Sequence, residues 1–347
     1  MTFVTRDGHK NTPLIMDVAG RLYGTTFTGG KYGLGSVFRL IPPAGGGKWS
    51  FQTLYNFCGF TNICPDGSEP EGGLTYAGAA SGDLYDGASP LYGSTDHGGW
   101  DNNVGPGTVF KLEPKVNGKW RETVLYVSSG GTLPSQGGIV ANSESHLFGT
   151  TRVNGAGGQG TIFELIPDAK KKNWSEQTLY NFCSMSQCSD GAVGSGGLLI
   201  DGSGNLFGTT TNGGVSCADE AGCGVAFKLS PVGKPSAYTV LHSFCTLSDC
   251  LDGRYPSAGL IMDQAGTLYG MTLAGGGNDN DSLGEGGGTI YALNGTETVL
   301  HAFCAKPDCR DGEHPYGSLS MDSSGNIFGT TAEGGAHGLG VVFELSP

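Results

Sequence analysis

One short pattern governs what this chain can become. An apolar residue, an aromatic, a glycine and a pair that is usually two threonines recur six times: LYGTT at Leu22, LYGST at Leu91, LFGTT at Leu147, LFGTT at Leu206, LYGMT at Leu268 and IFGTT at Ile327. The copies stand about 55 to 70 residues apart, the spacing of a repeat architecture. A second apolar segment follows each copy: SVFRL from Ser36, TVFKL from Thr108, TIFEL from Thr161, VAFKL from Val225, TIYAL from Thr289 and VVFEL from Val341. A third reads LYNF from Leu54, VLYV from Val124, LYNF from Leu179, LHSF from Leu241 and LHAF from Leu300. A fourth lies beyond an Asp-Gly turn, as in GGLTY from Gly72, GGLLID from Gly196, AGLIMD from Ala258 and GSLSMD from Gly317. Segments this short, bounded by Gly, Asp, Asn and Pro, have the chemistry of β-strands.

Four strands in each of six repeats predict an all-β chain, a six-bladed β-propeller of four-stranded antiparallel blades. Glycine supplies 64 of the 347 residues. Its cost in a helix, about 1 kcal/mol per position, argues against a bundle, and its doublets lack the triplet period of collagen. Sixteen Phe, thirteen Tyr and four Trp argue against disorder, and no apolar run is long enough for a transmembrane helix. The expected blades are 9–57, 66–127, 130–182, 190–244, 252–303 and 311–347, in a single domain covering 1–347. The last repeat stops after its third strand, while residues 2–5 form an orphan strand ahead of Asp7-Gly8. That strand would complete the last blade and remove two open edges. The loop after each aromatic-Gly-Thr strand, and the crossing into the next blade, fall on one face, which carries the length variation. Loops on a rigid scaffold are where function concentrates.

The net charge is −13, which repels phosphate backbones and makes nucleic acid a poor partner. The ten cysteines fall into five local pairs, Cys58–Cys64, Cys183–Cys188, Cys217–Cys223, Cys245–Cys250 and Cys304–Cys309. These gaps of four or five residues lie at or beyond the long end of zinc-ligand spacing, and the pairs recur a blade apart, so the reading is five disulfides in an oxidising compartment. The expectation is a monomeric secreted, periplasmic or cell-surface protein whose signal peptide, if it had one, has been removed.

The composite motif LYGTT-x-x-GG followed by G-[TS]-V-F-x-L, with DG-x-x-P-x-GGL ahead of it, resembles the GloVer repeat family over nearly the whole chain. The resemblance implies a tandem-repeat protein of bacterial type, often exported, and carries no established activity or catalytic residues. The placement of Gly-Gly before an aromatic strand and then Trp49, Trp120 or Trp174 is also similar to kelch spacing.

Several motifs have structural readings. Asp7, Asp66, Asp190, Asp252 and Asp311 precede glycine and are expected to form Asx turns, the rival being a ring of carboxylates around an ion. Gly155-x-Gly157-x-x-Gly160 lies between two strands, where no helix N-terminus awaits a pyrophosphate. The run from Asn278 to Ser282, with Glu285 beyond, offers oxygen ligands but lacks the turn glycine of a calcium loop.

The informative positions are those where the repeat breaks its own symmetry. After the threonine pair the blades read Phe27-Thr28, Asp96-His97, Arg152-Val153, Thr211-Asn212, Leu273-Ala274 and Ala332-Glu333. The Asp-Gly turns diverge likewise: His9-Lys10, Glu69 with Glu71, Arg254-Tyr255, and Glu313-His314 with Tyr316. Asp96, His97, Glu333, His314 and Tyr316 are therefore the candidate catalytic residues. Arg152, Asn212, Arg254, Glu69 and His9 are substrate-binding candidates, with Trp100 and Tyr32 as sugar-stacking platforms. Histidine beside carboxylates suits acid–base work, and arginine suits a uronate. The favoured reading is a carbohydrate-active enzyme on a polysaccharide or oligosaccharide. As a glycoside hydrolase it would use Asp96 and Glu333, helped by His97. As a polysaccharide lyase it would use His97 or His314 as base, Tyr316 as proton donor and Arg152 as clamp. The rivals are a non-catalytic glycan lectin or adhesion module and a calcium-dependent lactonase-type hydrolase with Ca2+ on the channel axis.

Overall fold

The computed structural model describes residues 13–59, 63–79, 82–99, 105–128, 138–170, 172–214, 221–230, 237–278 and 285–346. Residues 2–5, His9, Trp100, Cys217 and most of the acidic run after Asn278 lie outside them. The described chain is all-β, with six small antiparallel sheets that are the blades of a propeller. Blade 1 runs β1 (Ile15–Met16), β2 (Leu22–Thr26), β3 (Ser36–Ile41) and β4 (Ser50–Asn56). Blade 2 holds β5 (Leu91–Thr95), β6 (Thr108–Pro114) and β7 (Trp120–Val127). Blade 3 is β8 (Val140–Ala141), β9 (Leu147–Thr150), β10 (Thr161–Pro167) and β11 (Trp174–Asn181). Blade 4 is β12 (Ala192–Gly194), β13 (Leu199–Ile200), β14 (Leu206–Asn212), β15 (Val225–Leu229) and β16 (Tyr238–Ser243). Blade 5 is β17 (Arg254–Pro256), β18 (Ile261–Met262), β19 (Leu268–Ala274), β20 (Thr289–Asn294) and β21 (Thr296–Ala302). Blade 6 is β22 (Glu313–Pro315), β23 (Ser320–Met321), β24 (Ile327–Glu333) and β25 (Val342–Leu345). The first two blades and most of the third form one compact unit with 200–202; the rest of the last three blades form a second, together with 155–160 and 180–199.

The repeated motif has a packing cause. Its glycine lies under the aromatic of the following strand: a Cβ on Gly93 would stand 2.5 Å from Phe110 Cζ and 3.2 Å from Leu74. Gly329 is in the same position under Phe343. Gly93→Ala is therefore expected to cost about 1–3 kcal/mol by overpacking, read as a lower urea midpoint. The two threonines divide their work. The first reaches the next blade, as Thr25 Oγ1 donates to the Gly72 carbonyl at 3.2 Å and Thr209 Oγ1 to Ala258 at 3.1 Å. The second meets the following strand's hydroxyl, as in Thr95–Thr108 at 2.9 Å and Thr272–Thr289 at 2.9 Å. Aromatic and aliphatic side chains fill the space between adjacent blades: Tyr23 and Phe57 of blade 1 pack with Tyr85, Leu91 and Phe110 of blade 2, and Phe207 and Phe244 with Leu260 and Tyr291.

Two features differ from the plain four-strand expectation. The inner strand of blades 4, 5 and 6 is broken into two short pieces, both paired with the aromatic-Gly-Thr strand, and in blade 2 it is reduced to the bridges Ser68↔His97 and Thr75↔Tyr92. Its break falls where Gly196 would drive a Cβ to 2.4 Å from Ala258 of the next blade. A register shift also recurs in the outer pair of strands, between Val37 and Phe38, Val109 and Phe110, Ala226 and Phe227, and Ile290 and Tyr291. Such a bulge re-aims the residues beyond it, here Tyr55, Tyr126, His242 and His301.

Those residues correct the Asx-turn expectation. The Asp-Gly carboxylates reach back to the preceding disulfide loop instead of bonding two residues ahead. Asp190 accepts from Tyr180 Oη at 2.7 Å, Ser184 N at 2.8 Å and Met185 N at 3.2 Å. Asp66 accepts from Tyr55 Oη at 2.7 Å and Cys58 N at 3.1 Å. Asp252 accepts from Thr246 N at 2.8 Å and Leu247 N at 3.2 Å, and Asp311 from Ala305 and Lys306 N at 3.1 Å each. Each of these four carboxylates thus holds the loop that precedes it. Among the described residues the disulfides Cys58–Cys64, Cys183–Cys188, Cys245–Cys250 and Cys304–Cys309 are formed, the pattern of an oxidising compartment. No helix among the described residues is long and apolar enough to cross a membrane.

A further group on the next blade's outer strand lies toward four of the Tyr or His residues at this position, Tyr55, Tyr126, Tyr180 and His242. Tyr126 Oη donates to Glu176 Oε2, and Tyr180 stacks on Tyr238 with centroids 3.9 Å apart. Glu297 takes the corresponding position toward His242 and Asp252, and Glu122 toward Tyr55 and Asp66. Burial and the charge of Asp66, opposed by Arg121, push the Glu122 carboxyl up to about 8. A native state that keeps a proton the unfolded chain releases loses stability as pH rises, here from the ordinary glutamate range up to about 8. Glu122→Gln is expected to remove that decline, checked by urea midpoints at pH 5 and pH 9.

Candidate functional site

Strand pairing brings some of the symmetry-breaking residues together within single blades. In blade 2, His97 N donates to Ser68 O at 3.2 Å, Ser68 N to His97 O at 2.9 Å and Asp96 N to Glu69 O at 3.1 Å. This locks the Asp-Gly turn to the end of the aromatic-Gly-Thr strand. Glu69 has φ +58°, and its N–H donates to Leu34 O of blade 1 at 2.9 Å. Pro70 beside it sits where a Cβ on Gly35 would stand 2.4 Å from Pro70 Cδ. Val193, Tyr255 and His314 repeat the positive φ and donate to Gln159, Cys223 and Gly287 at 2.9 Å each. This backbone conformation is thus the joint between blades, and the side chain placed on it is free to vary.

On this frame His97 Nδ1 lies 3.2 Å from Glu69 Oε2 and 3.4 Å from Asp96 Oδ2. The nitrogen is buried, and neither carboxylate meets it at a hydrogen-bonding angle. The side chains of His97, Glu69 and Asp96 are 34%, 22% and 17% exposed, so the group borders solvent. An imidazole between two carboxylates can carry a proton to or from a bound ligand while either carboxylate stabilises the charged ring. Glu69, expected to bind substrate, is thus a direct neighbour of the acid–base candidates.

Blade 6 repeats the pair with the residues exchanged. Its positive-φ position holds His314 and its strand end holds Glu333, with His314 Nδ1 3.9 Å from Glu333 Oε1. Glu313 stands directly across the ladder from Glu333. Tyr316 is anchored to its own blade, its N–H donating to Thr330 O at 3.0 Å and its carbonyl accepting from Thr330 Oγ1 at 2.8 Å.

Arg254 is paired with Glu285, Nη2 to Oε2 at 3.2 Å, and its guanidinium lies 5.3 Å from the Tyr255 ring centroid. Arg254 and the Glu285 that lies beyond the acidic run are therefore engaged with each other. Asn212 pairs with Ala192 on the ladder. Arg152 is exposed, as is Tyr32, with Lys31 Nζ 5.1 Å from the Tyr32 ring centroid. The 155–160 glycine loop joins β9 to β10, with Ala156 N held by Asn181 Oδ1 at 2.9 Å. Sequence reading gave little weight to Glu313, whose signal was its place beside His314 opposite Glu333. It also left unlinked the Asp-Gly carboxylates and the Tyr or His of LYNF and LHSF, although their separation of 10 or 11 residues recurs.

A six-bladed propeller with disulfide-bearing crossings, and with histidine–carboxylate clusters in blades 2 and 6 among the described residues, defines the class. The chain belongs to the Gloeobacter/Verrucomicrobia repeat family, whose sequence profile matches residues 1–218, 79–283 and 187–347. No curated protein sequence matches it significantly. Among solved structures it is similar to a GH93 alpha-L-arabinofuranosidase of Fusarium graminearum in complex with arabinobiose, at 10% identity, TM-score 0.55, covering 96% of this chain and 91% of that one. It is also similar to Trypanosoma rangeli sialidase, at 7% identity and TM-score 0.46, covering 95% of this chain and 53% of that one. The chain therefore spans about half the sialidase's length. The likeness to the arabinofuranosidase shows the fold.

Proposed function

We propose that the chain is a secreted, carbohydrate-active enzyme, a glycoside hydrolase whose acid–base group is Glu69, Asp96 and His97. The observation that carries the reading is the His97 nitrogen set between two part-exposed carboxylates at the end of a rigid strand. Two carboxylates flanking a glycosidic bond are the common apparatus of its hydrolysis. An imidazole between them holds one charged while the other donates. Exposed Arg152 and Tyr32 would meet an acidic group or a ring face of the sugar. The arabinofuranosidase at TM-score 0.55 supports the reading as an analogy of fold, and the disulfides support export.

The test is a panel of plant and microbial polysaccharides incubated with the purified chain, with product end groups identified. New reducing ends without unsaturation support hydrolysis. Unsaturated uronate ends would assign a lyase with His97 as base. Binding without any product would replace the enzyme with a lectin.

A further inference from the structure

We propose that Glu313, His314 and Glu333 bind one divalent transition-metal ion. Their ligand atoms all lie within 4.8 Å of one another. The site uses none of Glu69, Asp96 and His97 and does not depend on the sugar-directed reading. Two ligand atoms on one ion, each at about 2.0–2.2 Å, stand about 3–4 Å apart. The His314–Glu333 separation of 3.9 Å is too long for a hydrogen bond and close to that chelating distance.

The cross-strand register adds a reason. Glu313 and Glu333 are directly opposed on the β22–β24 ladder, where like charges destabilise a sheet. The equivalent pairs elsewhere are Ala192/Asn212, Arg254/Ala274 and Ser68/His97, none of them two carboxylates. A cation between the glutamates converts that repulsion into binding. The ligands are also held in advance. His314 is fixed by its N–H to Gly287 O at 2.9 Å, and Glu313 and Glu333 lie in paired strands. Glu313 and His314 are each 7% exposed, whereas the Glu333 side chain is 55% exposed, which leaves a route for the ion and room for water ligands. Cys304 and Cys309 also approach Glu313, but their sulfurs are bonded to each other. Calcium prefers six to eight oxygens; one imidazole with two carboxylates suits zinc, cobalt or manganese.

The full chain, stripped of metal, is titrated with Zn2+ by calorimetry and with Co2+ by visible absorption. The expected result is one ion per chain, cobalt ligand-field bands, and a rise in Tm with Zn2+. Glu333→Gln, an exposed change that keeps the fold, should weaken Zn2+ binding at least about tenfold and remove both the bands and the Tm rise. Equal Zn2+ affinity in wild type and Glu333→Gln, or no stoichiometric binding, would overturn the proposal. So would loss of binding in His97→Gln with Glu333→Gln unaffected, which places the ion in blade 2.

Discussion

Asp190→Ala is expected to destabilise the protein by about 3–5 kcal/mol, read as a large drop in urea midpoint at unchanged m-value. The side chain is fully buried and satisfies the Tyr180 hydroxyl and the Ser184 and Met185 amides. Each donor left unmatched in a buried site costs about 1–3 kcal/mol. Tyr180 also stacks on Tyr238, whose hydroxyl donates to the Asp190 carbonyl at 2.6 Å. The loss therefore spreads from one disulfide loop into the joint between blades 3 and 4. Asp311→Ala, at a more exposed joint whose donors are surface amides, should cost about half as much. A loss below 1 kcal/mol at Asp190 would show that the disulfide alone holds the loop.

His97→Ala and Glu69→Gln are each expected to lower polysaccharide turnover by about 10²–10⁴-fold with little change in urea midpoint. Both side chains are part-exposed, and the backbone bonds that lock the turn, Asp96 N to Glu69 O and Glu69 N to Leu34 O, survive either change. Asp96→Asn removes the second carboxylate beside the ring and should shift the pH profile of turnover as well as its rate. Full activity in His97→Ala would end the assignment. A parallel fall in activity and stability would make the cluster a structural latch of the turn.

The blade plan was legible from the amino acids because each repeat carries its own packing rule: glycine under an aromatic, as at Gly93 and Phe110, and threonines at a fixed offset. The six-bladed propeller and the local disulfides follow from such short-range regularities. The expected closing strand and His9, Trp100 and Cys217 lie outside the described residues. Sequence also singled out the positions that break the repeat, since identical surroundings should hold identical residues unless something else acts on them.

What sequence could not decide was partnership. Asp66 and Tyr55 come together because a bulge shifts the outer strand by one residue. His97 faces Glu69, and His314 faces Glu333, because the positive-φ turn is stapled to the neighbouring blade. Arg254, an attractive ligand contact in one dimension, is taken by Glu285 in three. Local periodicity is set by steric rules within a strand and survives in the one-dimensional pattern. Which charged side chains meet depends on register, bulges and blade-to-blade hydrogen bonds, and those are settled only when the sheets pack.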